Sequence, residues 1–160
     1  MAEMSAPDQQ IPQSLGDYLE VMSKAVFQTG ISWRVVDSKW PQLREALRGF
    51  DIDAVATLSE TDLEELAQDT RVIRNRRKLA AIVHNARRII DLDDEHGDFQ
   101  SYLRSHASFG ETVEDLRAQF KFLGDTGCYY FLYVVGEEVP PHDEWMGARQ
   151  PRRRRKAGPG

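Results

Sequence analysis

The chain has a single cysteine in 160 residues, Cys128, which excludes an internal disulfide and suits a reducing compartment. It has no apolar run approaching the roughly 18 residues that a membrane span needs. The opening stretch, MAEMSAPDQQIPQS, lacks a basic segment followed by an apolar one, so no secretory signal is expected. There is also no alternating polar and apolar stretch long enough for a convincing strand. These absences leave an all-α protein of the cytoplasm or nucleoid, with no membrane partner.

What is present fits one packed domain. With 41% hydrophobic and 29% charged residues, the composition is ordinary for a globular chain of this length. The net charge of −5 hides an asymmetry, because the last ten residues, PRRRRKAGPG, carry five positive charges and the rest stands at −10. An acidic body is a poor generic binder of polyanions. Any nucleic-acid contact must therefore come from a local patch.

The polar, Pro-containing residues 1–13 read as a flexible N-terminus, residues 14–142 as the domain, and residues 143–160 as a disordered basic tail. From Ser14, a candidate N-cap, Leu15, Leu19, Met22 and Val26 recur at helical spacing until Thr29-Gly30. Trp33 to Lys39 reads as a short helix broken by Pro41, which suits the first turn of the next. Gly49 stops that helix, and Asp51 or Asp53 can cap a short successor. Ser59 or Thr61 opens another, followed by a tight connection around Asp69-Thr70-Arg71. Leu79, Ile82, Val83, Ala86, Ile89 and Ile90 then form one apolar stripe. Gly97 ends it, and three further helices are expected: about Phe99 to His106, Glu111 to Phe120, and Thr126 to Val135.

Residues 71–90, RVIRNRRKLAAIVHNARRII, hold seven Lys and Arg and no acid, whereas Glu60, Asp62, Glu64, Glu65 and Asp69 precede them. Two helices joined by a tight turn, with Arg71, Arg74, Arg76, Arg77 and Lys78 gathered there, make a plausible duplex-binding device. A solvated face paired with the acidic helix explains the same residues, and both readings remain open. Trp33 has two readings as well. A core ring is the commoner fate of Trp, while a ring facing a cleft can stack on a flipped base. Composition alone favours the core.

QTGISWRVV, LREALRGFDIDAVATLSETDLEELAQDTRVIRNRRKLAAIVHNAR, FQSYL, FKFLGDTGCYYFLYVVG and a final His142 together resemble the 3-methyladenine DNA glycosylase I family over residues 14–142. The resemblance implies a helix-hairpin-helix glycosylase fold with the hairpin at about residues 61–88. It implies base-excision repair: hydrolysis of the N-glycosidic bond of an alkylated purine such as 3-methyladenine in double-stranded DNA. It makes Trp33, with Ser32 and Gly30, the stacking wall of the base pocket, and Arg71, Arg74, Arg76, Arg77 and Lys78 the backbone grips. No cofactor is called for, and the protein is expected to act as a monomer.

The sequence also departs from the family pattern. A glutamate that hydrogen-bonds the excised base, eight residues before the Trp, is Ala25 here, so no catalytic residue can be assigned. The N-terminal segment with its pocket aromatics and two zinc ligands has no counterpart in MAEMSAPDQQIPQ. His142 matches a zinc-ligand histidine, but the Cys partner falls at about Met146, and one imidazole cannot build a four-coordinate site. The expectation is no metal. The family's hairpin glycine is Arg71, so the turn must adapt or accept a costly backbone conformation. A pocket that exchanges Glu for Ala is larger and more apolar. It allows a bulkier lesion, or a non-catalytic DNA- or lesion-binding module on the same fold.

Overall fold

The computed structural model describes residues 8–146, and among these every regular element is helical. α1 (Leu15–Gln28) starts where the sequence places it: the Ser14 hydroxyl accepts the Asp17 N–H at 3.3 Å. α1 is buried on most of its circumference, with Leu19, Met22, Val26 and Phe27 fully enclosed. Gly16 lets it approach the next segment, since a Cβ there would stand 2.2 Å from the Phe50 carbonyl oxygen.

α2 (Trp33–Ala46) runs unbroken through Pro41, contrary to the expected break. Pro41 removes one N–H from the helical ladder. Val36, Trp40, Leu43 and Ala46 bury a continuous stripe on both sides of it, and that packing outweighs the local defect. The Trp40 indole also donates to Glu20 at 2.8 Å. A 3-10 turn over Arg48–Phe50 follows, with all three residues at positive φ. Two of them are not glycine, so the turn is strained. The Phe50 ring stacks on Trp40 at 5.5 Å and 9°, an aromatic contact that offsets part of that strain.

α3 (Ile52–Ala56) is capped by Asp51, and α4 (Glu60–Gln68) by a reciprocal Ser59–Asp62 capping box. α5 (Arg76–His96), capped by Asn75 and ended by Gly97 at φ +90°, is the longest helix. Its stripe of Leu79, Ile82, Ala86 and Ile89 is fully buried against α1, α3, α4 and α6. α6 (Phe99–Leu103), α7 (Phe109–Gln119) and α8 (Asp125–Val134) complete the core.

Both flanks are better anchored than their composition suggests. Within the expected flexible N-terminus, the Gln10 N–H donates to the Val134 carbonyl at 2.8 Å and the Gln9 amide to that of Tyr133. Residues 142–146, the last described, are helical, and Trp145 packs edge-on against Phe109 at 4.7 Å. Gln9, Gln10 and Trp145 therefore contact the helical body from outside the expected bounds of 14–142. The arginine run lies outside the described residues.

Candidate nucleic-acid interface and base pocket

The loop from α1 to α2 is built by local chemistry. Gly30 stands at φ +79° with open space around its Cα, so its backbone angle, and not crowding, asks for glycine. Ser32 caps α2, its hydroxyl accepting the Val35 N–H at 3.2 Å. This makes Trp33 the first residue of α2 and leaves it 43% exposed. The core placement favoured by composition is thereby corrected. A side chain at the very end of a helix projects past the packed stripe, and Trp33 meets Tyr130 of α8 at its edge, 6.3 Å and 60°.

Tyr130 is half-buried. Burial pushes its hydroxyl up to about 12; contact with the Gln28 side chain acts in the opposite sense, and the Asp37 charge adds to the rise. The phenol is therefore protonated at neutral pH. Ala25, on the same face of α1 as Gln28, is buried, with its Cβ 3.6 Å from where a Cβ on Gly127 of α8 would lie. Where the resemblance expects a base-recognising carboxylate, there is a methyl group packed on α8.

The hairpin consists of α4, a connection over residues 69–75, and α5. Asp69 organises the turn: one carboxylate oxygen accepts the Arg71 N–H at 2.8 Å, and the other takes the Arg71 guanidinium at 2.8 Å. These bonds hold the Asp69 carboxyl at about 2. Arg71 is not among the residues at positive φ, so the turn has adapted without the strain that losing glycine threatened. Its guanidinium also reaches Glu45 at 3.6 Å. Arg76 pairs with Glu60 and Glu64 of α4, the solvated-face arrangement.

Lys78 requires a clear correction. It is 4% exposed and cannot grip DNA in this conformation. Its ammonium donates to the carbonyls of Phe27 and Thr29 at the end of α1. Burial lowers its pKa. Lys39 makes a parallel link, its ammonium donating to the Thr70 carbonyl at 2.9 Å. Two lysines thus stitch the Trp33 loop and α2 to the hairpin. Of the five expected grips, Arg74 and Arg77 are exposed and have no ion-pair partner among the described residues.

A third segment joins this surface. Buried Asn85 of α5 clamps the backbone of Lys121, accepting its N–H at 2.9 Å and donating to its carbonyl at 3.2 Å. The next residue, Phe122, is held at φ +61° and is 37% exposed. With Thr29 and Gly124 it borders an open groove of about 700 Å³. The larger cavity, about 840 Å³ between α6, α7 and residues 136–140, contains none of these residues.

Among the described residues no cluster of three or more His, Cys, Asp or Glu side chains is placed to hold a metal. His142 packs on the Tyr129 ring at 5.0 Å. Cys128 is buried, with its sulfur 3.9 Å from the Val113 carbonyl oxygen. Sequence reasoning missed Gln28, Lys39 and Tyr130. Gln28 opens the QTGISW motif and could have been singled out, whereas nothing in the sequence marks the Lys39–Thr70 contact.

A basic helical hairpin locked to a loop that presents an exposed tryptophan defines an all-α protein of the DNA glycosylase class. The chain belongs to the methyladenine glycosylase family, whose model matches residues 14–119. It is 30% identical over 130 residues to the DNA-3-methyladenine glycosylase of Haemophilus influenzae, covering 68% of this chain and 70% of that one. It is 29% identical over 130 residues to DNA-3-methyladenine glycosylase 1 of Escherichia coli, with the same two coverages, 68% and 70%. A crystal structure of a 3-methyladenine DNA glycosylase I superimposes with TM-score 0.67 at 27% identity, over 81% of this chain and 83% of that one. A point variant of such an enzyme, in complex with 3-methyladenine, shares the fold at TM-score 0.70 and 24% identity, over 84% of each chain. Among the described residues no helix is long and apolar enough to cross a membrane.

Proposed function

We propose that the protein is a base-excision repair glycosylase that hydrolyses the N-glycosidic bond of an alkylated purine, such as 3-methyladenine, in duplex DNA. The observation that carries this is Trp33, an exposed aromatic at the start of α2, tied through Lys78 and Lys39 to a hairpin whose Arg74 and Arg77 are exposed and have no ion-pair partner among the described residues. Arg74 and Arg77 neutralise phosphates beside the lesion, the damaged nucleotide turns out of the stack, and its base lies on the Trp33 ring. The relatives named above as DNA-3-methyladenine glycosylases support that substrate class.

The chemistry asks little of the chain's own acids and bases. Alkylation at N3 gives the base a positive charge. When the C1′–N bond breaks, its electron pair moves onto the base, which leaves neutral. Water adds to C1′ and releases a proton to solvent. With Ala25 in place of a carboxylate, the chain contributes extrusion, stacking and orientation. The proposal includes action as a monomer in the cytoplasm.

The test is release of free base from duplexes carrying single alkylated purines, 3-methyladenine first. Tight, salt-dependent binding of lesion DNA with no release of any alkylated base would favour the non-catalytic module instead.

A further inference from the structure

Between α7 and α8, residues 120–124 carry an exposed aromatic ring to which the proposed chemistry gives no task. Phe120 and Leu123 are buried, so the chain turns outward and returns within two residues, and Phe122 does this at φ +61°. Glycine makes such a turn without strain. Phenylalanine is strained there and also leaves its ring 37% exposed, two costs that the turn itself does not require. The segment is held in this form by Asn85, itself 1% exposed, whose whole amide is committed to the Lys121 backbone. Asn85 stands about two turns along α5 from Lys78, whose ammonium donates to the Thr29 carbonyl, and Thr29 borders the groove beside Phe122. One helix, α5, therefore pins the 120–124 segment and the end of α1 side by side.

We propose that Phe122 makes an apolar contact with the duplex, its ring against a deoxyribose of the backbone, while Lys121 neutralises the adjoining phosphate. This rests on the glycosylase reading of the surface and adds a hold outside the hairpin and the base pocket. Lys121 is exposed and has no ion-pair partner among the described residues, so the face that holds the ring also offers a cation. The groove continues to Thr29, at the foot of the Trp33 loop. On its other wall Arg117 is committed to Asp125 and Glu114 is exposed, which directs a polyanion toward Thr29 and Lys121. Sugar and phosphate alternate along every strand, and an apolar ring beside one cation matches that pair. Salt screens the grip of Arg74 and Arg77 but not that of the ring.

The experiment is titration of the full chain with an undamaged duplex across a salt series, beside melting curves and base release from duplexes carrying 3-methyladenine. Phe122→Gly should weaken binding by about threefold to sixfold at every salt concentration, the scale of covering the exposed part of a phenyl ring, and leave the salt slope unchanged. Its melting temperature should stay near the parent's, because glycine takes the positive φ without strain. Phe122→Asn also tolerates that conformation and should show the same loss, which separates the contact from a folding defect. Lys121→Gln should lower the slope of log Kobs against log salt by about 0.9. Phe122→Gly and Lys121→Gln proteins that bind as the parent does, where the parent releases the alkylated base, would overturn this inference and leave the function standing. A parent that neither binds duplex nor releases base would overturn the function and this inference with it.

Discussion

Lys78 offers the sharpest test of how the interface is built, because sequence and structure assign it opposite roles. Its ammonium is buried and donates to the Phe27 and Thr29 carbonyls, at the negative end of the α1 dipole. Lys78→Met keeps the length of the side chain and removes the charge. The exposed Thr29 carbonyl can turn to water, but the Phe27 carbonyl is left buried without its donor, at a cost of about 1–3 kcal/mol. Removing a buried charge recovers some desolvation energy. The net loss should be about 2 kcal/mol, roughly 4–8 °C in melting temperature for a domain of this size. The Trp33 loop then loosens from the hairpin, and a misplacement of about 1 Å is enough to cost roughly 100-fold in rate. The salt dependence of DNA binding should stay unchanged, since Lys78 touches no phosphate. Arg74→Ala and Arg77→Ala should do the reverse. Each should lower the slope of log Kobs against log salt by about 0.9, with stability within about 0.5 kcal/mol of the parent. Duplex titrations across a salt series, beside melting curves, measure both. If Lys78→Met lowers the slope by the same step and melts like the parent, the lysine leaves its buried position to hold phosphate and the stitching argument is wrong.

The remaining expectations concern the platform, the acid-side stability and metal content. Trp33→Ala should leave binding to undamaged duplex nearly unchanged and cost roughly 1–3 kcal/mol on lesion DNA, the size of one base–aromatic stack; equal affinities for both duplexes in parent and variant would make the ring structural. Burial works to raise the Asp115 carboxyl, but hydrogen bonds from His106, Tyr102 and Gln119 outweigh it and hold it below the usual range. Its stabilisation is therefore full above the unfolded value of about 3.9 and is lost as pH falls through the folded one. Asp115→Asn should remove about 1 kcal/mol near neutral pH, roughly 2–4 °C, and melt more like the parent in strong acid; a constant gap across that range would contradict it. Purified protein should carry no stoichiometric zinc and keep its melting temperature in chelator, and one metal per chain with unfolding on its removal would refute this.

The fold was legible where structure follows from near neighbours. Ser14, Asp51 and Ser59 cap helices, and Gly97 ends one, because each acts on backbone groups within a few residues, whereas Gly49 lies inside the 48–50 turn beyond the end of α2. The α5 stripe was legible for the same reason, its period being a property of one helix. Pro41 misled because the cost of one missing N–H is local, while the packing that overrides it comes from α1 and the 48–50 turn. Lys78 misled for a related reason. It sits in a run of cations that reads as one patch, but helical rotation turns it to the buried side next to Leu79, whereas Arg77 faces out. The termini misled because their contacts are made one at a time, by Gln9, Gln10 and Trp145, and carry no period.

Arg71 shows how these departures fit together. Without the hairpin glycine, the turn closes through Asp69, whose carboxylate occupies the Arg71 N–H and is neutralised by the Arg71 guanidinium. That amide is then not offered to a phosphate, and the guanidinium cannot serve as an independent grip while it balances Asp69. Arg76 is committed to α4 in the same manner and Lys78 to α1. Under the proposed function, the hold on DNA would shift from a backbone turn to the side chains of Arg74 and Arg77, on a body whose residues outside the last ten sum to −10. Long side chains on a surface act mainly through charge, which salt screens and which carries little register of its own. On that proposal register comes from the stitches: Lys39 and Lys78 fix the Trp33 loop against the hairpin, so that two hairpin cations would suffice to align an extruded base with its platform.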